Sequence, residues 1–380
     1  MTPSIRLGRI FGIEIGVNWS LIFIFVLIAW TLAGSVFPQD VPGQGSAAYW
    51  TAAVVGALAF YACLLAHELS HAVVARRRGV RVAGITLWLF GGVSRLEGEP
   101  TSAGAEAFLT AVGPLTSFLV AAVAFGLSLF AAAIGVPALV QDLLQWLAYL
   151  NLVLGLFNLV PAFPLDGGRL LAAFFWWRTG SRREGVRRAV RVGRVFAYGM
   201  IAFGMLELFT GQVVNGIWIA FIGWFLLSAA GAEESATTTR AAMRSVPVSA
   251  AMSSPVTSVP DWLTVEDFLR SAAAQYHFTT YPLHEPSGAL TGVLRLGDLL
   301  RVAPVARMQA RLRDYARPIA QVPTARPDEA LDAMLERVGG ALDQRVLVFD
   351  NGKLVGIVSP ADVTRVVLLR QAAGESPLAA

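Results

Sequence analysis

The chain has 380 residues, of which 55% are hydrophobic and only 15% are charged, and its mean hydropathy is +0.59. These values exclude an ordinary soluble domain and indicate a protein that crosses a membrane several times. The one cysteine, Cys63, excludes a disulfide framework and a cysteine-based zinc site. The formal net charge of +4 requires no nucleic-acid partner, because the arginines cluster beside apolar segments.

Six apolar segments are long enough to cross a bilayer, and the charges beside them predict one orientation. We predict transmembrane helices over 17–37, 48–75, 105–134, 143–163, 193–210 and 214–232. Arginines precede the first segment and follow the second, fourth and sixth, whereas the loops on the other side carry no Lys or Arg. Positively charged loops remain in the cytoplasm, so we expect both termini to be cytoplasmic.

The second segment contains the motif His67-Glu68-Leu69-Ser70-His71. Residues four apart lie on one face of a helix, so His67 and His71 can hold one metal ion together. Glu68 is adjacent and can reach a water molecule at that metal. Ionisable residues are costly at this depth unless they serve a function. The motif therefore predicts hydrolysis within the membrane, about 7–8 Å from the cytoplasmic end marked by Arg76.

A zinc hydrolase needs a third protein ligand at the same depth, and Asp166 is the strongest candidate. It ends the fourth predicted helix, which runs from the outer face toward the cytoplasm. Pro161 and Pro164 interrupt that helix, and irregular backbone at membrane depth is tolerated mainly where protein or a watery cavity surrounds it. We therefore predict that Asp166 completes a site for one zinc ion per chain with His67 and His71.

Two motifs together resemble the site-2 protease family of intramembrane zinc metalloproteases. They are the histidine motif and the segment Asn158–Gly167, which reads Asn-x-x-Pro-x-x-Pro-Leu-Asp-Gly. The resemblance covers residues 1–232 and implies cleavage of transmembrane or membrane-associated segments of other proteins. It places the protein in the plasma membrane of a prokaryote, with zinc as cofactor. It also implies that Glu68 acts first as general base and then as general acid.

The same resemblance predicts further site residues. Asn158 is expected to contact the oxyanion or the substrate, and a hydrogen bond to a neighbouring helix is the alternative. A membrane-associated β-hairpin is expected over Thr86–Glu97. Its residues Gly91, Gly92 and Val93 are expected to bind an unwound substrate segment by strand addition.

Beyond residue 232 the composition becomes more polar and a repeat begins. We predict a linker at 233–244 and two α/β repeats, at 245–305 and 306–380. In each repeat, an Asp residue near an N-cap precedes a helix, a short strand follows, and a segment from Gly to Asp comes last. The two segments that end the pattern are Gly292–Asp298 and Gly356–Asp362.

These repeats resemble a tandem pair of CBS domains, as found in one branch of the site-2 proteases. The resemblance implies that Ser359 and Asp362 bind ATP, ADP or AMP. The first repeat keeps Asp298 but has Arg295 where the family has a hydroxyl residue, so it departs from the pattern. A module that only folds and dimerises is the alternative. The resemblance also implies a homodimer formed through these domains.

The predicted protein is a polytopic α-helical membrane protein of about six transmembrane helices with a small β-hairpin and a cytoplasmic α/β tandem CBS domain. Its predicted activity is zinc-dependent endoproteolysis in the membrane, on a transmembrane protein substrate, with membrane lipid as a further partner and adenine nucleotide as a regulator. The alternative is a CBS-regulated transporter or channel without protease activity. Such a protein would need ionisable residues along a path across the bilayer.

Overall fold

The computed structural model describes residues 4–88, 91–97, 100–243, 246–275, 278–338 and 345–372. The chain forms two compact units, Met1–Thr237 and Thr238–Ala380. The first unit contains long apolar helices, and the second contains short strands and helices. The division therefore falls a few residues beyond the predicted boundary at residue 232.

Long apolar helices make up most of the first unit, which confirms a polytopic helical fold. Within the described residues, 6 helical segments are long and apolar enough to cross a membrane. The helices are α1 (Ser20–Thr31), α2 (Phe37–Asp40), α3 (Ser46–Arg77), α4 (Ala103–Ala133), α5 (Ala138–Asn158), α6 (Asp166–Thr179), α7 (Arg182–Phe209) and α8 (Val213–Met243). A π-helical turn at Leu32–Val36 joins α1 to α2 into one span. The segment predicted as a linker from residue 233 is helical as far as Met243.

The fourth span ends earlier than the sequence predicts. Helix α5 stops at Asn158, and residues 159–165 form an irregular turn before Asp166 begins α6. Proline cannot donate a backbone hydrogen bond, so Pro161 and Pro164 do not continue the helix. The turn folds back closely on Gly167, where a Cβ atom would lie 2.2 Å from the Leu159 carbonyl oxygen. The glycine therefore permits the approach that places Asp166 at the start of α6.

A four-stranded sheet in the first unit packs against α3. Its strands are β1 (Ile5–Ile10), β2 (Ile13–Val17), β3 (Arg81–Trp88) and β4 (Gly91–Glu97), in the order β1-β2-β3-β4. The antiparallel β3–β4 pair is the predicted hairpin, and β2 joins β3 in parallel. Ile15 and Ile85 form one buried cluster with Leu64 and Ala72 of α3. Burial of apolar surface thus holds the sheet on the helix that carries the histidine motif.

Helix α4 contacts α3, α5 and α6. Small residues permit the close contacts: a Cβ atom on Gly155 of α5 would approach the Phe118 ring to 2.5 Å. At the start of α4, the buried carboxylate of Glu106 pairs with Arg182 of α7 at 3.2 Å. Helix α4 therefore lies against both helices that supply the predicted zinc ligands.

The second unit contains two small sheets with short helices, which confirms the predicted α/β repeat. One sheet has the order β5-β6-β7-β8 and the other has the order β11-β10-β9. The strands are β5 (Val259–Pro260), β6 (Thr280–His284), β7 (Leu290–Arg295), β8 (Arg317–Pro318), β9 (Thr324–Ala325), β10 (Val346–Asp350) and β11 (Lys353–Val358). The helices are α9 (Val248–Ala251), α10 (Val265–Gln275), α11 (Leu296–Leu299), α12 (Leu331–Arg337) and α13 (Pro360–Ala372).

The two repeats of the second unit exchange backbone contacts. Strand β8 belongs by sequence to the second repeat but pairs with β7 of the first. In return, Ser253 of the first repeat forms a bridge with Ile357 of β11. Both apolar cores also draw on the two repeats: Val248 of the first repeat is buried with Met334 and Val348, and Leu312 of the second is buried with Phe268 and Tyr281. The exchange holds the repeats together as a pair.

Candidate metal centre

Three of the predicted site residues converge on one point in the first unit. The Nε2 atoms of His67 and His71 on α3 lie 3.3 Å apart. The Oδ2 atom of Asp166, at the start of α6, lies 3.3 Å from each of them. Both histidines are buried, with 3% and 8% of their surface exposed. Two residues from one helix and a third from a helix far along the chain therefore form a triangle of potential ligand atoms.

The dimensions of this triangle fit a zinc ion. The edge of a regular tetrahedron is about 1.6 times the distance from its centre to a corner, so 3.3 Å edges imply ligand distances of about 2.0 Å. Zinc binds His nitrogen and carboxylate oxygen at about 2.0–2.2 Å. Oδ2 of Asp166 is buried and makes no hydrogen bond within the described residues, as expected for an atom directed at a cation. A zinc ion held by these three atoms would have a fourth position for water or substrate.

Helix α4 orients both histidines from the side opposite the triangle. Nδ1 of His67 lies 2.8 Å from Oγ of Ser117, and Nδ1 of His71 lies 2.7 Å from the Leu109 carbonyl oxygen. A carbonyl can only accept, so Nδ1 of His71 carries the proton and donates it. Its Nε2 atom then presents a lone pair to the triangle, which is the tautomer that a metal requires.

A glycine on the same face of α4 provides the space beside the ligand atoms. A Cβ atom on Gly113 would lie 2.2 Å from Nε2 of His71 and 2.7 Å from Nε2 of His67. Leu109, Gly113 and Ser117 are spaced at intervals of four residues, so they share one helix face. Neither Gly113 nor Ser117 was predicted from the sequence as a site residue. Their four-residue spacing was the available signal.

The other predicted residues of the first unit lie near this centre. The Glu68 carboxylate contacts strand β4, where the Ser94 hydroxyl donates to its Oε2 atom at 3.0 Å. Gly92 lies directly against the Glu68 side chain, and Val93 pairs with Thr86 across the hairpin. The roles predicted for Gly91, Gly92 and Val93 in substrate binding stay predictions.

Asn158 lies at the last turn of α5, half-buried. Its side-chain amide donates to the Leu154 carbonyl of its own helix at 2.9 Å. This bond uses one of the two amide protons and leaves the carbonyl oxygen available as an acceptor. Contact of Asn158 with an oxyanion or with substrate stays a prediction.

The predicted nucleotide residues lie in two different settings in the second unit. Ser359 and Asp362 cap α13: the Asp362 carboxylate accepts from the Ser359 amide at 2.9 Å and from the Ser359 hydroxyl at 2.5 Å. Asp362 also accepts from the Ser253 hydroxyl at 2.9 Å. Its carboxylate therefore already supports the helix start and the contact between the repeats.

Asp298, in contrast, lines a cavity of about 330 Å³ between the repeats. Three arginines from both repeats also line it: Arg295, Arg317 and Arg345. Burial and the neighbouring Arg295 lower the pKa of Arg345, and Asp362 opposes that shift. Arginines held this close are typical of an anion site. Arg317 and Arg345 were not predicted from the sequence, because they belong to the second repeat.

Comparisons with known proteins agree with both parts of this description. Peptidase family M50 matches residues 55–138 and 133–200, and these ranges contain His67, His71 and Asp166. The CBS domain matches residues 312–369. The zinc metalloprotease named Rip3 in Mycobacterium tuberculosis is 42% identical over 379 residues, which cover 99% of this chain and 96% of the relative.

More distant relatives also match this chain. A zinc metalloprotease of Synechocystis is 30% identical over 372 residues, covering 96% of both chains. Among solved structures, the site-2 protease from Methanocaldococcus jannaschii is 28% identical and covers 60% of this chain and 94% of that one, with a TM-score of 0.42.

The extent of the identity establishes the class of the protein. The chain belongs to peptidase family M50, the site-2 proteases. It is therefore an integral membrane zinc metalloprotease with a C-terminal CBS region, which acts on a protein substrate. Membership in a protease family argues against the alternative of a CBS-regulated transporter or channel without protease activity.

Proposed function

We propose that the protein is an intramembrane endopeptidase that carries out regulated proteolysis of transmembrane or membrane-associated segments of other proteins. The zinc ligands are His67, His71 and Asp166, and Glu68 is the general base and then the general acid. The observation that carries this proposal is the 3.3 Å triangle of ligand atoms, formed on α3 and α6 among helices that are long enough to cross a membrane.

The chemistry follows from the residues around the triangle. A zinc ion held there would supply Lewis acidity, for polarising a carbonyl group and for lowering the pKa of water. Glu68 accepts the proton of the attacking water and delivers it to the leaving amine. Asn158 is placed eight residues before Asp166, and we assign it contact with the oxyanion or the substrate backbone. Gly91, Gly92 and Val93 hold the unwound substrate segment along β4.

A reconstituted cleavage assay tests this function. The full-length protein and a single-span substrate are placed in the same vesicles, and the parent is compared with Glu68→Gln and with Asp166→Ala. We expect Glu68→Gln to retain zinc but lose cleavage, since an amide cannot accept the water proton. Asp166→Ala should lose both zinc and cleavage. Retained cleavage in Glu68→Gln would disprove the proposed mechanism.

A matched control for the cleavage assay is Glu207→Gln. Glu207 is also a glutamate on an apolar helix, but it lies in the last turn of α7 and its carboxylate accepts a hydrogen bond from Asn215 at 2.8 Å. This variant should cleave at the parent rate. Zinc content of each variant, measured by mass spectrometry, separates loss of the metal from loss of the base.

We propose that both termini lie in the cytoplasm of a prokaryote and that α7 contacts anionic lipid. Arg187, Arg188 and Arg191 have exposed side chains near the start of α7, where the positive-inside rule places the cytoplasmic surface. Topology reporters fused to each terminus should report a cytoplasmic location. Vesicles with and without phosphatidylglycerol, compared for their effect on thermal stability, should show stabilisation by the anionic lipid.

We propose that adenine nucleotide binds in the cavity lined by Asp298 and the three arginines and regulates cleavage. Asp298 can accept from ribose hydroxyls, while arginines bind phosphate oxygens in pairs. The full-length protein in detergent is titrated with ATP, ADP and AMP by calorimetry. We expect Arg345→Gln to weaken binding about tenfold and Arg370→Gln, in α13, to leave it unchanged. No heat with any of the three would disprove nucleotide binding.

We propose a homodimer formed through the CBS region, as the resemblance implies. Light scattering after size-exclusion chromatography should give the mass of two chains for the full-length protein in detergent. The mass of one chain at micromolar concentration would contradict the proposal.

A further inference from the structure

The side chain of Glu68 lies against strand β4 of the hairpin. Ser94 donates a hydrogen bond from its hydroxyl to Oε2 of Glu68 at 3.0 Å. At Gly92, an added Cβ atom would lie 2.2 Å from Cγ and 2.6 Å from Cδ of Glu68. Ser94 and Gly92 are two residues apart, so they share one face of the strand. One face of β4 thus both contacts the Glu68 carboxylate and makes room for it.

This contact fixes a side chain that would otherwise rotate. A free glutamate side chain samples several rotamers, and ordering it has an entropic cost. A hydrogen bond to a charged carboxylate is stronger than one between neutral groups. Ser94 therefore selects one orientation of Glu68, and a general base is effective only within hydrogen-bonding distance of the proton it removes.

The zinc ligands are supported by different elements. His67 and His71 take their outer hydrogen bonds from α4, through Ser117 and the Leu109 carbonyl. Asp166 is placed by the turn that precedes α6. The described hydrogen bonds of the two histidine Nδ1 atoms thus come from α4, whereas the described hydrogen bond of Glu68 comes from the sheet. Metal and base can therefore be perturbed separately.

We propose that Ser94 is a positioning residue for the catalytic base Glu68, and that Gly92 leaves the space this orientation needs. The inference rests on the proposed role of Glu68. It makes β4 a determinant of turnover, in addition to any contact that the strand makes with substrate. A substitution at Ser94 should therefore lower kcat while the zinc site stays intact.

Kinetics of Ser94 variants in the vesicle assay test this role. Ser94→Ala should lower kcat about 10- to 100-fold, the loss expected for a hydrogen bond to a charged group, with KM nearly unchanged and one zinc ion per chain. Ser94→Thr keeps the hydroxyl and should restore most of kcat. Ser128→Ala is the control, because the Ser128 hydroxyl bonds the Phe125 carbonyl of its own helix; its kcat should equal that of the parent.

A double-mutant cycle provides a measurement that does not depend on cleavage. Thermal unfolding of the full-length protein is compared for Ser94→Ala, Glu68→Ala and the double variant. If the two side chains interact, the shift of the double variant is smaller than the sum of the single shifts. Additive shifts would overturn the inference, since they would show that the contact has no energetic consequence.

Three outcomes for Ser94→Ala would also overturn it: a parent-like kcat, an effect confined to KM, or loss of zinc. The second would assign Ser94 to substrate binding, and the third would assign it to the fold. Coupling in the unfolding cycle together with a zinc-loaded parent that cleaves no substrate would instead refute the proposed function and leave the contact established.

Discussion

The zinc site depends on the absence of a side chain at Gly113, and we predict that Gly113→Ala abolishes zinc binding. The alanine Cβ atom would lie 2.2 Å from Nε2 of His71 and 2.7 Å from Nε2 of His67. Real Cβ atoms essentially never lie closer than 3.0 Å to another heavy atom. The alanine Cβ atom and Nε2 of His71 must therefore move apart by at least 0.8 Å. Zinc sites tolerate deviations of only about 0.2 Å in ligand distance. The displaced ligand therefore no longer reaches the ion.

Relaxation around Gly113 is limited because its neighbours are held. Rotation of the His71 ring would break the 2.7 Å bond to the Leu109 carbonyl, at a cost of about 1 kcal/mol. Movement of α4 would disturb its contacts with α3, α5 and α6. We therefore expect zinc affinity to fall by more than the roughly 10- to 100-fold that changes outside the ligand set produce.

The assay is zinc per chain in the purified full-length protein, followed by competition with a chromogenic chelator. Gly126→Ala is the matched control on the same helix, because among the described residues a Cβ atom there meets nothing within 4 Å. Both variants exchange glycine for alanine within a helix, which favours the helix by about 1 kcal/mol. Zinc affinity of Gly113→Ala equal to that of the parent would refute the reasoning, as would an equal loss in Gly126→Ala.

Residues beside the triangle should affect zinc affinity and stability in separable ways. Ser117→Ala is expected to lower zinc affinity about 10- to 100-fold, while Ser117→Thr should keep most of the affinity. If a chelator titration gave Ser117→Ala the same zinc affinity as the parent, it would contradict a role for the Ser117–His67 hydrogen bond. Glu106→Gln removes one charge of the buried pair with Arg182. It should lower the free energy of unfolding by about 1–3 kcal/mol without loss of zinc. An unchanged unfolding transition would disprove the predicted loss of stability. Removal of zinc by a chelator should lower the unfolding temperature of the parent but not of Asp166→Ala; an equal response of the two would mean that zinc binds elsewhere.

The core of the candidate site was predictable because its signals are local. The four-residue spacing of His67 and His71 determines that they share a helix face, whatever the helix packs against. The choice of Asp166 followed from the order of the apolar segments and the arginines beside them, which predict its depth in the membrane. The predicted helix end was wrong by five residues, since α5 stops at Asn158 and not at residue 163. The turn is as apolar as the helix before it, so hydropathy does not indicate that the backbone is no longer helical.

Contacts between distant segments were not predictable in the same way. Strand β2 pairs in parallel with β3, where Ile15 lies opposite Ile85. Parallel strands are not joined by a short hairpin turn, so the sequence contains no turn motif that predicts this pairing. The β3–β4 hairpin was accordingly predictable from the sequence, whereas the other two strands of the sheet were not predicted. In the second unit, the cavity beside Asp298 takes Arg317 and Arg345 from the other repeat, and a repeat-by-repeat comparison does not bring them together.

The sequence alone determined the number of apolar spans, the paired histidines and the tandem α/β repeat, and it predicted that Asp166 joins the histidines. These features depend on periodicity and composition within single segments. Only the tertiary structure decided that Ser117 and Leu109 orient the histidines, that Gly113 leaves space beside them, and that Ser94 holds Glu68. The rotation of α4 and the position of β4 against α3 place these residues, and both are set by side-chain packing between segments far apart in the chain.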